Sequence, residues 1–286
     1  MAALAPQRIT FKPQIHSSSD QDRRAVSILV QGRGGTGKTH FMVTCPGPFF
    51  LIWDTNLATH YKFPDLPFVQ VQSWEEVEDY WLDAIKKRRL TEIVQSFQSA
   101  DGTKPFQSYK VETLCLDSLT FFANQTLLEL AEGHAKMKRS YWDEYYSRFH
   151  RLVSAACGST FLDNAHPDRE CYNVVASIHE EDRFESIKVG DEWQRRLLGT
   201  FPTVAGKMAN QLDTYFSTHL LCDVSEKMGP GGKVRNHLLK TITQGSRRCK
   251  PDQVGGGSRW KTLPESMSNT WQALSVGWGM VDERNP

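Results

Sequence analysis

The sequence is short of several things, and each shortage narrows the reading. It holds six cysteines, at 45, 115, 157, 171, 222 and 249, but no C-x-x-C pair. Most sit in apolar runs, which favours free buried thiols in a reducing compartment over a disulfide framework. Cys157, His166 and Cys171 match no standard zinc spacing. No stretch approaches about 18 uninterrupted apolar residues, and no signal-peptide core opens the chain. The expectation is a soluble, cytoplasmic protein with no membrane partner. Net charge is scarce too: 34 Lys and Arg against 33 Asp and Glu leave +1. The whole molecule is therefore no electrostatic magnet, and any nucleic-acid contact must come from local basic stripes. Internal repeats and long flexible linkers are missing as well. The 286 residues, 39% of them hydrophobic, suffice for one large domain with a substantial core. The expected organisation is a loosely held arm over 1–22 and a single domain over 23–286.

What is present centres on Gly32-Arg33-Gly34-Gly35-Thr36-Gly37-Lys38-Thr39. It fits the phosphate-loop pattern G-x-x-x-x-G-K-[ST] at every fixed position. Ala25–Val30 reads as a buried strand before it, and His40-Phe41-Met42-Val43 can continue as a helix after it. The glycines allow backbone N–H groups to turn inward around phosphate oxygens. Lys38 supplies a point charge for the β- and γ-phosphates, and the Thr39 hydroxyl can ligate Mg²⁺. ATP and Mg²⁺ are thus the expected cofactors. The phosphate-cradling set is Gly32, Arg33, Gly34, Gly35, Thr36, Gly37, Lys38, Thr39 and His40.

The rest of the chain alternates strand and helix. Phe49–Asp54 is a second strand and Pro67–Val71 a short third. Ser73 and Glu76 form a capping box that opens a long helix running to about Ser96. Lys86-Lys87-Arg88-Arg89 lies on it and reads as a solvated face. Lys110–Asp117 is a central strand. Helical patterns cover roughly 118–135 and 140–157, and the aromatics of the second (Tyr141, Trp142, Tyr145, Tyr146, Phe149) are spaced for packing. Asn173–His179 is another strand, followed over 180–200 by a charged loop of unusual length. A short helix near 203–211 leads into a strand over Asp213–Leu221. That strand pairs through the turn Met228–Gly232 with Val234–Ile242. A basic Gly-rich loop over 244–261 precedes a last helix from about Pro264. This order implies an α/β fold: a mainly parallel central sheet, helices on both faces, and a C-terminal antiparallel hairpin.

Ligands bind at the carboxyl ends of such strands. Asp54, Asp117 and His179 end strands and so point toward the phosphate loop. Asp117 suits a magnesium-shell carboxylate, the Walker B role; its structural alternative is a cap on the next helix. His179 can sense the γ-phosphate, or simply be a histidine satisfied at a strand end. Asp54-Thr55-Asn56 lies where a general base for water would stand, and Asp54 can accept a proton where Asn56 cannot.

These segments together resemble the RecA-like P-loop superfamily, and most closely the phage-encoded nucleotide-binding proteins that include single-strand-annealing recombinases. Gly32–Thr39 matches the Walker A and Leu114–Ser118 the Walker B. Val174–His179 matches the strand before the second DNA-binding loop. Pro202, Gly206-Lys207 and Asp213 match the elements after it, and Arg259-Trp260-Lys261 with Leu263-Pro264 the ending. The resemblance covers roughly 25–275. It implies a RecA-like ATPase acting on single-stranded DNA in recombination or annealing, in the host cytoplasm. It also implies self-association into a ring or filament and a phage single-strand DNA-binding protein as a partner. On this likeness 180–200 faces DNA, with Arg183, Lys188, Arg195 and Arg196 on phosphates and Phe184 and Trp193 stacking bases. The basic cluster Arg247, Arg248, Lys250, Arg259 and Lys261 resembles the region that reaches a neighbour's ATP. One position departs: Asn56 stands where the family carries its catalytic glutamate. That motivates a second reading, a nucleotide-gated assembly protein with little turnover. A third, a small-molecule kinase, ranks last because no Arg-rich lid is evident.

Overall fold

The computed structural model describes residues 25–55, 57–99, 102–131, 138–160, 171–189, 192–229, 232–244, 247 and 265–278. The expected arm over 1–22 and most of the basic loop over 244–261 lie outside the described residues. So does Asn56.

The chain forms β1 (Ser27–Gly32), α1 (Lys38–Val43), β2 (Pro48–Ile52) and β3 (Phe68–Gln70). Three short helices follow: α2 (Trp74–Glu76), α3 (Leu82–Lys86) and α4 (Leu90–Ser96). Next come β4 (Thr113–Asp117), α5 (Leu119–Ala131), α6 (Arg139–Gly158), β5 (Asn173–Val189), β6 (Glu192–Pro202) and α7 (Met208–Tyr215). β7 (Thr218–Gly229), β8 (Gly232–Lys240), β9 (Ser266–Ser268) and α8 (Trp271–Gly277) complete it. The sheet order is β3-β2-β4-β5-β1-β7-β8-β9. Strands β3 to β7 along that order are parallel, and β8 and β9 add an antiparallel edge.

Strand alternation sorts the core. Leu29, Leu51, Leu114, Leu116, Val174 and Ala176 pack on one face, against α2 through α7. Ile28, Val30, Phe50, Ile52, Cys115 and Val175 pack on the other, against Phe41 and Met42 of α1, Leu274 of α8 and Trp278 just after it. Burial on both faces explains the near-continuous apolar runs of β1, β2 and β4.

Several expected elements differ. The helix expected from Ser73 to about Ser96 starts on its cap, with Ser73 Oγ accepting from the Glu76 N–H at 3.4 Å. It then loosens through a wide π turn over Val77–Trp81 and breaks after Lys86, where Arg88 takes a left-handed φ of 55°. The Tyr172 hydroxyl accepts from the Leu90 N–H at 3.2 Å, which holds the restart of α4. The helix expected near 203–211 runs over Met208–Tyr215 instead, so Asp213–Tyr215 are helical and β7 begins at Thr218. Leu212 and Met208 turn into the core at helical spacing, which outweighs the strand-like Thr214-Tyr215. The last helix begins at Trp271, capped by the Thr270 hydroxyl.

The largest correction concerns 180–200, which is not a loop. β5 continues past His179 to Val189, and β6 returns antiparallel to it, from Glu192 opposite Val189 to Pro202 opposite Glu180. This arm stands off the sheet, so backbone pairing rather than an apolar face holds it. The paired segment leaves Trp193, Leu197, Leu198 and Phe184 exposed.

Candidate functional site

The phosphate loop leaves the carboxyl end of β1 and closes on the first turn of α1. Gly35 and Gly37 take φ of 76° and 93°, a region that Cβ-bearing residues avoid. Space matters as well at Gly37: a Cβ there would lie 2.7 Å from Asn269 Nδ2 and 2.9 Å from His237 Nδ1. Those two side chains brace the loop from β8 and the segment before α8. Asn269 Nδ2 donates to the Gly37 carbonyl at 2.8 Å, and His237 Nδ1 lies 3.0 Å from the Thr36 carbonyl. Beside them a cleft of about 440 Å³ opens between the first turn of α1 and the β7–β8 pair, lined by His40, Lys227, Arg235, His237 and Asn269 among others.

Lys38 is buried within the loop, and its ammonium donates to the Gly32 carbonyl at 2.7 Å and the Arg33 carbonyl at 2.8 Å. Burial lowers its pKa, while Cys222, Asp117 and Glu180 act in the opposite sense. Burial also pushes the Cys222 thiol up to about 12, so that neighbour is uncharged at neutral pH. The Asp117 and Glu180 carboxylates act against the burial of Lys38.

Asp117 ends β4 beside the loop. Its Oδ2 accepts from the Thr39 hydroxyl at 2.8 Å and its Oδ1 from the Ser177 hydroxyl of β5 at 2.5 Å. It does not cap α5; that role falls to Ser118, whose Oγ accepts from the Phe121 N–H at 3.4 Å. The Thr39 hydroxyl and the Asp117 carboxylate are hard oxygen donors on one spot, which suits Mg²⁺. Asp117→Asn should preserve the fold, since the amide keeps the volume, but weaken magnesium-dependent nucleotide binding by about 10–100-fold. A magnesium titration of ATP affinity checks this. Wild-type magnesium dependence in the variant would make Asp117 structural.

A residue not singled out in the sequence lies here too. His60, in a single 3₁₀ turn over His60–Lys62, is 5% exposed, with Nε2 3.5 Å from Asp117 Oδ2. Phe50 and Phe68 flank its ring. Neither ring nitrogen has a hydrogen-bond partner among the described residues. Burial lowers its pKa, outweighing the attraction of Asp117 and Asp54. We therefore read it as a neutral imidazole at an electrostatic distance, not as an ion pair.

His179 pairs in register with Gly32 across β5 and β1. Its backbone N–H donates to the Thr120 hydroxyl at 2.9 Å, and Phe121 meets its ring edge-on. Burial lowers its pKa, Lys38 lowers it further, and Asp117 and Asp54 act against this. Asp54, two residues past β2, thus acts on both histidines. The site therefore gathers Lys38, Thr39, Asp54, Asp117 and His179, with His60 added.

Both lowered histidines give a sign to the pH dependence. The unfolded chain takes up protons near pH 6.5, where the folded protein resists them, so stability is full above about 6.5 and falls as pH drops through the lower folded values. The melting temperature should decline between pH 7 and 5, and decline less in His60→Gln. A flat profile, or an unchanged slope in the variant, would reject this assignment.

The hairpin is tied to the loop. Arg33 Nη2 contacts both Asp182 oxygens, at 2.7 and 2.6 Å. Below it runs a buried polar chain: Gln31 Nε2 donates to Glu180 at 2.8 Å, and Arg247 Nη2 meets the same carboxylate at 2.9 Å. Arg247 also reaches Asp223 at 3.3 Å. That first member of the basic cluster is turned inward rather than toward a neighbour; Arg248, Lys250, Arg259 and Lys261 lie outside the described residues. On the hairpin, Arg195 stacks over Phe184 at 4.5 Å, Arg183 over Phe201 at 5.2 Å, and Arg196 lies 3.7 Å from Glu185. Trp193 is opposite Lys188 and is 71% exposed.

Residues 24–247 match a protein-family model described as "AAA domain". No curated protein matches the chain. Among solved structures, the flagellar accessory protein FlaH from Methanocaldococcus jannaschii is similar over 75% of this chain and 76% of that chain, at 12% identity and a TM-score of 0.32. Among the described residues, no helix is long and apolar enough to cross a membrane.

Proposed function

The chain belongs to the AAA domain family, and on that premise we propose that it is a RecA-like P-loop ATPase acting on single-stranded DNA, of the phage annealing-recombinase type. The proposal extends to a cytoplasmic protein with one domain over 23–286, self-association into a ring or filament, and a phage single-strand DNA-binding protein as partner. Bound Mg–ATP would supply the reactive phosphoryl group. The loop N–H groups and Lys38 would hold its phosphates, and Thr39 and Asp117 the metal.

The observation that carries the DNA reading is the link between loop and hairpin. Arg33 sits inside the phosphate loop and grips Asp182 at the hairpin base. A phosphate entering the loop competes for that guanidinium, so nucleotide occupancy can bias the hairpin. The hairpin in turn presents an exposed indole and two exposed arginines, the groups that stack bases and neutralise phosphates. Its acidic residues partly offset this charge, so binding should be modest and salt-sensitive.

The test is a fluorescence titration with an oligonucleotide at several salt concentrations, with and without ATP. Trp193→Ala should cost about 1–3 kcal/mol of affinity. Removing Arg195 and Arg196 together should flatten the salt dependence by about one to two units of slope. Unchanged affinity and slope in a protein that still binds DNA would clear the hairpin of this role. ATP-dependent assembly without turnover would favour the second reading, which Asn56 motivates.

A further inference from the structure

Packing alone would not put a histidine at position 60. Its ring lies on the cross-strand pair Phe50 and Phe68 of β2 and β3, with ring centroids 5.0 and 5.7 Å away. A phenyl ring would fill that box and bring no polar atom into it. The imidazole instead buries two nitrogens, and among the described residues neither has a hydrogen-bond partner. Buried polar groups left unpaired are rare, because each forfeits its bonds to water; where one persists, an ion, a water or a function ordinarily explains it. The backbone that carries the ring is not at fault. The Tyr61 N–H donates to the Leu57 carbonyl at 3.1 Å, the Lys62 N–H to the Thr59 carbonyl at 3.2 Å and the Phe63 N–H to the His60 carbonyl at 2.9 Å. The turn is closed, and it holds the ring where it is.

The place of Nε2 is the second observation. Asp117 Oδ2 lies 3.5 Å from it, beyond the usual length of an N–H···O bond. The same Oδ2 is 2.8 Å from the Thr39 hydroxyl oxygen. One carboxylate oxygen thus has a nitrogen and a hydroxyl oxygen beside it. Donors held about 2.0–2.2 Å from one first-row cation lie about 2.8–3.6 Å from each other, in a tetrahedral or an octahedral shell. Both separations fall in that range. The carboxylate is also fixed from behind, because the Ser177 hydroxyl donates to its other oxygen, Oδ1.

We propose that His60 Nε2 is a third protein donor, with the Thr39 hydroxyl and Asp117 Oδ2, to the divalent cation that accompanies the nucleotide, and that it makes the site prefer a first-row cation over Mg²⁺. The proposal rests on the phosphate-loop reading of the nucleotide site and adds the class of metal to it. The two oxygens suit Mg²⁺, but Mg²⁺ has little use for a nitrogen donor, whereas first-row divalent cations accept imidazole. Mn²⁺ is the probe, since it takes the same oxygen shell as Mg²⁺ and is paramagnetic.

The test uses the full chain with the β,γ-methylene analogue of ATP and either Mn²⁺ or Mg²⁺. Spin-echo modulation in the resonance of bound Mn²⁺ reports the nuclei around it: phosphorus from the nucleotide and nitrogen from an imidazole. The wild-type protein should show both. His60→Phe, which keeps an aromatic ring in the box, should retain the phosphorus signal and lose the nitrogen signal. In calorimetric titrations of the analogue, the preference for Mn²⁺ over Mg²⁺ should fall about tenfold or more in the same variant. His60→Leu gives the same readings with a different shape, so the outcome does not hang on how well a phenyl ring fits. Phosphorus without nitrogen in the wild type overturns the assignment and leaves the phosphate-loop site standing. A nitrogen signal or a metal preference that survives in both variants does the same. No metal-dependent binding of the analogue to the wild-type protein overturns this assignment and the nucleotide site together.

Discussion

Lys38→Ala is expected to abolish tight ATP binding in a protein that still folds. The ammonium is held inside the loop by the Gly32 and Arg33 carbonyls, within reach of wherever the loop holds phosphate. A charge-assisted hydrogen bond contributes about 1.5–3 kcal/mol, which is roughly ten- to hundredfold in affinity for each such bond to phosphate that the alanine cannot make. Folding should suffer less. Burial disfavours the charged lysine, so removing it relieves a desolvation cost while freeing two carbonyls. Calorimetric titration of ATP, set beside the thermal melt, separates the two effects. Wild-type affinity in a folded variant would remove the phosphate loop from the nucleotide site. Arg33→Ala is the contrast: its guanidinium is largely exposed and turned to Asp182, so it should alter how ATP influences the hairpin more than ATP binding itself.

Lys38 was legible in the sequence because the loop's chemistry fixes both residue types and spacing, and the flanking strand and helix are local. Asp117 was legible because a carboxylate closing an apolar run is a strand-end signal. The Ser177 hydrogen bond was not, since it joins residues 60 apart through the β4–β5 pairing. His60 carried less signal still. It lies in a three-residue turn with no periodicity, and only the packing of Phe50 and Phe68 brings it to Asp117. The hairpin was hidden for a different reason. Strand reading relies on one face being buried, and an arm that stands off the sheet buries neither fully, so its alternation is of charges rather than of apolar and polar residues. The overlooked signal was Gly190-Asp191 between Val189 and Glu192, a two-residue hairpin turn in composition. The basic run at 86–89 misled in the same way: its charges look equivalent in sequence, yet Lys87 and Arg89 both fold back on Asp83 while the Arg88 guanidinium donates to Cys171 Sγ.

The wild-type protein is expected to hydrolyse ATP slowly, and Asn56→Glu to accelerate it by roughly 10²–10⁴-fold, the usual worth of a general base. β2 delivers this segment to the site. The Trp53 N–H donates to the Asp117 carbonyl at 2.9 Å, which locks the end of β2 to the end of β4. One residue on, the Asp54 carboxylate is felt by both His60 and His179. Asp54 therefore lies at the rim of the phosphate site; Asn56 comes two positions later in the sequence, outside the described residues. An amide there can orient water through its carbonyl oxygen but cannot take its proton. A glutamate restores that capacity. Asp54 is the rival base, half-buried and already ionisable. Steady-state phosphate release in wild type, Asn56→Glu and Asp54→Asn decides between them. Slow wild-type turnover that rises in Asn56→Glu and is indifferent to Asp54→Asn supports the lost base at 56. Fast wild-type turnover that Asp54→Asn removes, with no response at 56, would transfer the role to Asp54 and with it the assembly-without-turnover reading would fall.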